Sequence, residues 1–173
     1  FGTLVHLVME NSVGKSLSKD EFIDCAASAF DDFLKTRPAI HKDAGQKEKE
    51  IFLNVMSNAY DSDPGNIVIS AEEKKTVQHP SGIILKGIPD RVEQTKDGEY
   101  IIVDYKTGRN VKHVSNDIDT CLQVVVYAYI LEQQEGIRVS HCEYRYLRND
   151  ITVQCDYNDD MKDRLNRKLI EFK

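Results

Sequence analysis

In the first third of the chain, hydrophobic residues recur every three to four positions, which is the spacing of an amphipathic helix. This pattern predicts three helices, over residues 3–10, about 18–35 and about 46–60. Ser18 precedes the second helix and is followed three residues later by a glutamate, a capping-box pattern for a helix N-terminus. The sequence therefore predicts a helical N-terminal part that covers residues 1–64.

After residue 64, short runs of β-branched and aromatic residues alternate with turns that contain glycine or proline. The predicted elements, in chain order, are strands over residues 67–69, 83–88 and 100–105, a helix over about 117–134, strands over about 142–147 and 151–154, and a helix from about residue 159. The first three strands are expected to be consecutive and antiparallel. Residues 65–173 are thus predicted to form an αβ core.

The length of 173 residues suits one domain with a sizeable core, and the whole chain is predicted to be a single domain. No run of eighteen apolar residues and no signal-peptide pattern occurs, so we expect a cytoplasmic protein with no membrane partner. The chain begins with Phe1 inside an amphipathic pattern, which suggests a piece of a longer polypeptide.

The four cysteines, Cys25, Cys121, Cys142 and Cys155, are spread along the chain without a C-x-x-C pair. Neither a zinc knuckle nor a redox motif is therefore indicated. Cysteine is among the most frequently buried residue types, so we expect four buried free thiols.

Two carboxylates and a lysine are predicted to meet where strands end. Asp90 follows the strand predicted at 83–88, and Asp104 and Lys106 lie at the end of the next one. Side chains two apart on a strand project to the same face, so Lys106 accompanies Asp104, and Tyr105 offers its backbone carbonyl. Such an oxygen-rich site suits Mg²⁺ or Mn²⁺.

A site of this kind fits phosphodiester cleavage, in which a metal polarises a phosphoryl oxygen and lowers the pKa of the attacking water. Lys106 would serve electrostatically and in positioning, since an ammonium group beside carboxylates stays charged. The net charge of −6 is unusual for a protein that binds nucleic acid by charge alone. Bound divalent cations would neutralise part of it.

An Asp-x-Lys triplet alone is weak evidence, because average composition gives about one chance occurrence in a chain of this length. Gln123 and Tyr127 strengthen the hypothesis, because they are spaced i, i+4 on a predicted helix amid valines and need a polar partner or solvent. An active site across the sheet would supply that partner.

Four segments together resemble the motifs of RecB-type nucleases in the PD-(D/E)xK superfamily: Gly-Thr-Leu-Val-His at 2–6, Gly-Ile-Pro-Asp-Arg-Val at 87–92, Ile-Val-Asp-Tyr-Lys-Thr-Gly at 102–108, and Gln-Val-Val-Val-Tyr at 123–127. The resemblance implies an α/β fold with a restriction-endonuclease-like core, in which helices flank a central mixed β-sheet. It also implies the following site: His6, Asp90, Asp104 and the Tyr105 carbonyl hold the metal, Lys106 assists catalysis, and Gln123 and Tyr127 complete the centre.

The same resemblance implies an Mg²⁺-dependent deoxyribonuclease, with an exonuclease mode favoured over an endonuclease mode. Its partners would be DNA and a helicase domain or subunit of an AddB- or RecB-like helicase-nuclease that repairs double-strand breaks. One alternative is a catalytically inactive DNA-binding or scaffold module of the same fold. Another is a phosphoesterase that acts on RNA or small nucleotides.

Some side chains near the predicted site have two open interpretations. Arg91, Arg109 and Lys112 could contact DNA phosphates, or could simply be solvated. Glu72 and Glu73 precede the predicted hairpin in a segment whose pattern indicates a strand, and family members can place an acid there. The residues alone do not decide which of the two glutamates would face the metal.

Overall fold

The computed structural model describes residues 1–36, 42–111 and 117–171. Within these ranges the helices are α1 (Gly2–Asn11), α2 (Lys19–Lys35), α3 (Lys42–Asp61), α4 (Ile118–Glu135) and α5 (Asp159–Glu171). The strands are β1 (Ile67–Ala71), β2 (Lys75–Gln78), β3 (Ile84–Gly87), β4 (Arg91–Gln94), β5 (Tyr100–Lys106), β6 (Val139–Tyr146) and β7 (Ile151–Asp156). All five predicted helices are confirmed, and α3 begins four residues earlier than expected.

Five strands form one sheet in the order β1-β4-β5-β6-β7, while β2 and β3 form a separate two-stranded sheet. β4 pairs antiparallel with both β1 and β5. β5 and β6 are neighbours joined through α4, a crossover of the length that parallel strands require. The predicted fold class is confirmed, because the chain is α/β with a mixed sheet consistent with a restriction-endonuclease-like fold.

The predicted strand order is wrong in one respect. The run at 83–88 was expected to pair with the strand at 100–105, but its ordered part is β3, which pairs with β2. The partner of β5 is β4, a strand that the hydrophobic pattern does not reveal because Arg91 and Glu93 occupy two of its four positions. Those charged side chains are nevertheless buried.

The chain divides into two compact units that each draw on separate stretches of sequence. Unit 1 comprises Phe1–Gly65, Tyr105–Val111 and Tyr146–Ile151, and unit 2 comprises Asn66–Asp104, Lys112–Arg145 and Thr152–Lys173. Within the described ranges, no helix combines the length and the apolar character needed to cross a membrane.

Aromatic side chains from α2, from α3 and from Phe1, which precedes α1, contribute to the core of unit 1. The Phe30 and Phe52 rings lie 5.2 Å apart between centroids, and Phe1 meets Phe52 edge-on at 5.7 Å. The predicted capping box of α2 is present, since the Ser18 hydroxyl accepts from the Glu21 N–H and the Glu21 carboxylate accepts from the Ser18 N–H. These contacts fix where α2 begins.

Unit 2 has an aliphatic core to which α4 contributes most of one helix face. Its buried residues include Val124, Val125 and Ala128 on α4 and Leu165 on α5. The Cys142 thiol on β6 donates to the Val124 carbonyl at 3.6 Å, and burial strongly raises the pKa of that thiol. This contact places α4 against β6.

The cysteine prediction is wrong for three of the four residues. Cys121 at the start of α4 and Cys155 at the end of β7 form a disulfide across a sequence separation of 34 residues. Cys25 is free but exposed, and only Cys142 is a buried free thiol. The sequence analysis missed the disulfide because the spacing of cysteines along the chain does not show that the start of α4 lies next to the end of β7.

Candidate functional site

The hairpin of β4 and β5 sets Asp90 and Asp104 at the same end of two neighbouring strands. Arg91 lies opposite Val103 in this antiparallel pair, so one further step of the register places Asp90 opposite Asp104. Their exposed fractions are only 8% and 2%. Burial of a carboxylate is costly unless a cation or hydrogen-bond donors accompany it. Asp90 lies immediately before β4, between β3 and β4.

Glu72 brings a third carboxylate to this end of the sheet. It follows β1, whose register with β4 shifts at a bulge between Val68 and Ser70. The Glu72 N–H donates to the carbonyls of Pro89, at 3.1 Å, and Asp90, at 3.3 Å. A carboxylate oxygen of Glu72 lies within 4.8 Å of one of Asp90.

The backbone of Glu72 adopts a conformation that few non-glycine residues adopt. Its φ is 50°, in the left-handed region, which costs about 1–2 kcal/mol. Strain of this kind persists where the surrounding structure fixes it and is concentrated at functional sites. Here the two hydrogen bonds to Pro89 and Asp90 hold the strained residue beside the second carboxylate.

Glu73, the other acid that sequence analysis left open, lies elsewhere. Its side chain is 58% exposed, and its carboxylate accepts from the Lys75 ammonium at 2.9 Å. Lys75 is buried and also donates to Glu135 on α4 at 2.5 Å. The two glutamates are thus distinguished by geometry, and no local sequence pattern separates them.

The donor chemistry of these side chains fits a hard divalent cation. Mg²⁺ binds oxygen ligands at about 2.1 Å and Ca²⁺ at about 2.4 Å, so opposed ligands of one ion are about 4.2–4.8 Å apart. The carboxylate oxygens of Glu72 and Asp90 are no more than 4.8 Å apart, so both could bind the same ion. Carboxylate oxygens are hard donors of the kind that Mg²⁺, Mn²⁺ and Ca²⁺ prefer.

Beyond Asp104, β5 continues through Tyr105 to Lys106. Strand alternation places Lys106 on the face of Asp104 and Tyr105 on the opposite face. The buried Tyr105 ring meets the half-buried His6 imidazole of α1 edge-on, with centroids 6.4 Å apart. This contact constrains the histidine ring, while its predicted role as a metal ligand continues to rest on the sequence motif.

Gln123 and Tyr127 lie one turn apart on α4, as predicted, and the Gln123 amide donates to the Tyr127 hydroxyl at 3.0 Å. The Tyr127 ring packs directly on the backbone of Gly87, the last residue of β3. Gly87 lies three residues before Asp90. Because glycine has no Cβ, Gly87 leaves space for the Tyr127 ring at a position near Asp90 in the sequence.

The predicted phosphate contact of Arg91 is not supported. Only 4% of Arg91 is exposed, and its Nη1 atom lies 3.6 Å from Oε1 of Glu93. Both residues alternate with Asp90 along β4, so they lie on the opposite strand face. We therefore remove Arg91 from the candidate DNA contacts. Of the other two cations, Arg109 is exposed, and Lys112 lies outside the described residues.

Glu93 and Arg145 form a buried bidentate ion pair that reaches from β4 to β6 across β5. The two nitrogen–oxygen distances are 3.2 Å and 2.9 Å, and Asn66 donates to the same carboxylate at 3.1 Å. Arg145 also bonds Glu143 at 2.9 Å. Burial alone would raise the pKa of Glu143, but hydrogen bonds from His141 and Arg145 lower it overall. The network connects β4 with β6 and with Asn66, which directly precedes β1.

Comparison with known protein families identifies the family of this chain. The family model of the PD-(D/E)XK nuclease superfamily matches residues 1–169, a range that contains every candidate site residue named above. No curated protein matches the chain.

Proposed function

Because this chain belongs to the PD-(D/E)XK nuclease superfamily, we propose that it hydrolyses DNA phosphodiester bonds with the help of Mg²⁺ or Mn²⁺. The observation that carries the proposal is the antiparallel register that sets Asp90 opposite Asp104. Lys106 follows two residues later on the same strand. This is the carboxylate–carboxylate–lysine arrangement that the chemistry requires.

The proposed cation ligands are the carboxylates of Asp90, Asp104 and Glu72, the imidazole of His6 and the backbone carbonyl of Tyr105. Glu72 is added because its carboxylate lies beside that of Asp90. His6 and Tyr105 are retained from the sequence motifs. When bound, the cation polarises a phosphoryl oxygen and lowers the pKa of the attacking water.

Lys106 is proposed to stabilise the negative charge that develops on the phosphate oxygens and to position water and substrate. Gln123 and Tyr127 are proposed to orient substrate or water by hydrogen bonds. Their mutual hydrogen bond and the packing of Tyr127 on Gly87 restrict both side chains.

At the level of biology, we propose an exonuclease module of a helicase-nuclease that processes double-strand breaks. The support is the RecB-like order of the motif strings at 2–6, 87–92, 102–108 and 123–127. DNA and a helicase domain or subunit would be the partners. Arg109, which is exposed, and Lys112 remain proposed phosphate contacts on the basis of their position after Lys106.

Cleavage of end-labelled linear DNA, single- and double-stranded, tests the proposal. Wild-type protein is expected to release short products in Mg²⁺ or Mn²⁺ and none in EDTA. Asp104→Asn and Lys106→Met should each reduce the rate by more than about a hundredfold, because each removes a group that acts directly at the reacting phosphate.

Matched controls lie in the turn between β4 and β5. Asp97 and Lys96 are both exposed there, so Asp97→Asn and Lys96→Met change the same charges and should retain wild-type rates. Unchanged cleavage by either Asp104→Asn or Lys106→Met would refute the site. Preferential digestion of a matched RNA would instead indicate the phosphoesterase alternative, and absence of any cleavage would favour an inactive scaffold.

A further inference from the structure

The turn between β6 and β7 is hydrogen-bonded to the segment that follows the proposed catalytic lysine. The Leu147 N–H donates to the Lys106 carbonyl at 3.0 Å, and Nε of Arg148 donates to the Thr107 carbonyl at 2.7 Å. All four residues belong to unit 1. Arg148 is therefore held against Thr107, the residue that follows Lys106.

A second contact fixes the plane of the Arg148 guanidinium. Its Cζ atom lies 4.4 Å from the centroid of the Phe1 ring, a cation–π contact. The side chain is half-buried. The Thr107 carbonyl holds one edge of the guanidinium and the Phe1 ring holds one face. Because these contacts already restrict the side-chain rotamers, binding of a ligand would cost little additional conformational entropy.

Several basic side chains of this acidic protein are held by acidic partners, whereas, in the part of the chain that the structure describes, Arg148 is not. Lys49, Lys162, Arg164 and Lys168 each pair with a carboxylate. Among residues 1–36, 42–111 and 117–171, by contrast, no carboxylate lies within ion-pair distance of Arg148, and only its Nε makes a hydrogen bond. Its two terminal nitrogens are thus available to an anion.

We propose that Arg148 binds a backbone phosphate of the DNA strand that is cut at the Lys106 site. The proposal rests on the proposed nuclease function and adds a substrate contact to it. The two terminal nitrogens of the guanidinium can each donate a hydrogen bond to an oxygen of one phosphodiester. Because Nε of Arg148 donates to the Thr107 carbonyl, a phosphate bound there would lie near the segment that follows Lys106. Such a contact positions the strand without reading its sequence.

Salt dependence of DNA binding tests this role. Fluorescence anisotropy would measure the Kd of wild-type protein for a labelled single-stranded oligonucleotide in Ca²⁺ over a series of NaCl concentrations. Arg148→Met is expected to weaken binding by about tenfold and to reduce the slope of log Kd against log salt by about 0.7, the contribution of one phosphate contact to a single strand.

Two further variants separate the phosphate contact from a general charge effect. Arg148→Lys keeps the charge but loses the fork, so it should retain the wild-type slope and weaken binding less than Arg148→Met. Arg138→Met removes one positive charge at an exposed position before β6 and should leave slope and affinity unchanged. If Arg148→Met loses its thermal unfolding transition, Arg148→Gln, which keeps an amide donor for the Thr107 carbonyl, takes its place.

A wild-type slope and affinity in folded Arg148→Met or Arg148→Gln would overturn this inference, and continued Mg²⁺-dependent cleavage by wild-type protein would leave the proposed function standing. Wild-type protein that neither binds nor cuts DNA would overturn both. A slope reduced in Arg138→Met as much as in Arg148→Met would also refute a specific phosphate contact.

Discussion

Replacement of Gly87 by alanine should displace Tyr127 and thereby disturb the site at a position that makes no proposed contact with DNA or metal. A Cβ built at Gly87 lies 2.6 Å from Cε1 of Tyr127, about 0.8 Å inside the 3.4 Å at which ordinary contacts begin. Gly87 does not have a positive φ, so the backbone accepts alanine and the cost is steric. Overpacking of this kind costs about 1–3 kcal/mol.

Thermal unfolding and DNA cleavage together measure this effect. For a chain of this length, about 1–3 kcal/mol corresponds to a fall in Tm of about 2–12 °C. The cleavage rate should fall by more than the loss of folded protein at the assay temperature, because displacement of the Tyr127 ring also disturbs its hydrogen bond with Gln123. Gly108→Ala is the control for stability, since no atom lies within 4 Å of a Cβ there and its φ is not positive.

A double-mutant cycle isolates the contact. In a Tyr127→Ala background the ring is gone, so Gly87→Ala should cost less than about 0.5 kcal/mol. An unchanged Tm in Gly87→Ala, or an equal cost in both backgrounds, would refute the steric reasoning.

Three further perturbations test other parts of the structure. Glu72→Gln should retain the wild-type Tm while cleavage in Mg²⁺ falls by more than about tenfold, whereas Glu73→Gln should cut at the wild-type rate; equal rates would remove Glu72 from the site. Glu93→Ala should lower the free energy of unfolding by about 3–5 kcal/mol because it removes the buried carboxylate that Arg91 and Arg145 share, and denaturant titration with a smaller loss would contradict this. Cys121→Ser, which opens a disulfide across 34 residues, should lower the free energy of unfolding by about 4 kcal/mol, and a Tm equal to that of the wild type would show that the bond does not form.

Local patterns were sufficient to predict most elements of the fold. Hydrophobic periodicity located all five helices, and the capping residue Ser18 located the start of α2, because these signals depend on neighbouring residues alone. The same reasoning missed β4. In the sequence, its Arg91 and Glu93 look like solvated residues. The Arg145 that pairs with the buried Glu93 lies two strands away, on β6.

The site was predictable to a similar extent. Asp104 and Lys106 share a strand face by simple alternation, so their proximity could be read from the chain. Glu72 could not be distinguished from Glu73, because the distinction depends on a bulge in β1 and a left-handed backbone at one residue. Arg148 gave no signal either, since its neighbours Phe1 and Thr107 are remote in sequence.

The central claim is that the carboxylates at the end of the β4–β5 hairpin bind one divalent cation, and calorimetric titration with Mn²⁺ tests it most directly. Wild-type protein is expected to bind about one Mn²⁺ ion, and Asp90→Asn and Asp104→Asn should each weaken that binding by at least about tenfold, while the turn variant Asp97→Asn should bind as the wild type does. Wild-type protein that takes up no Mn²⁺, or aspartate variants that bind it with wild-type affinity, would contradict the account.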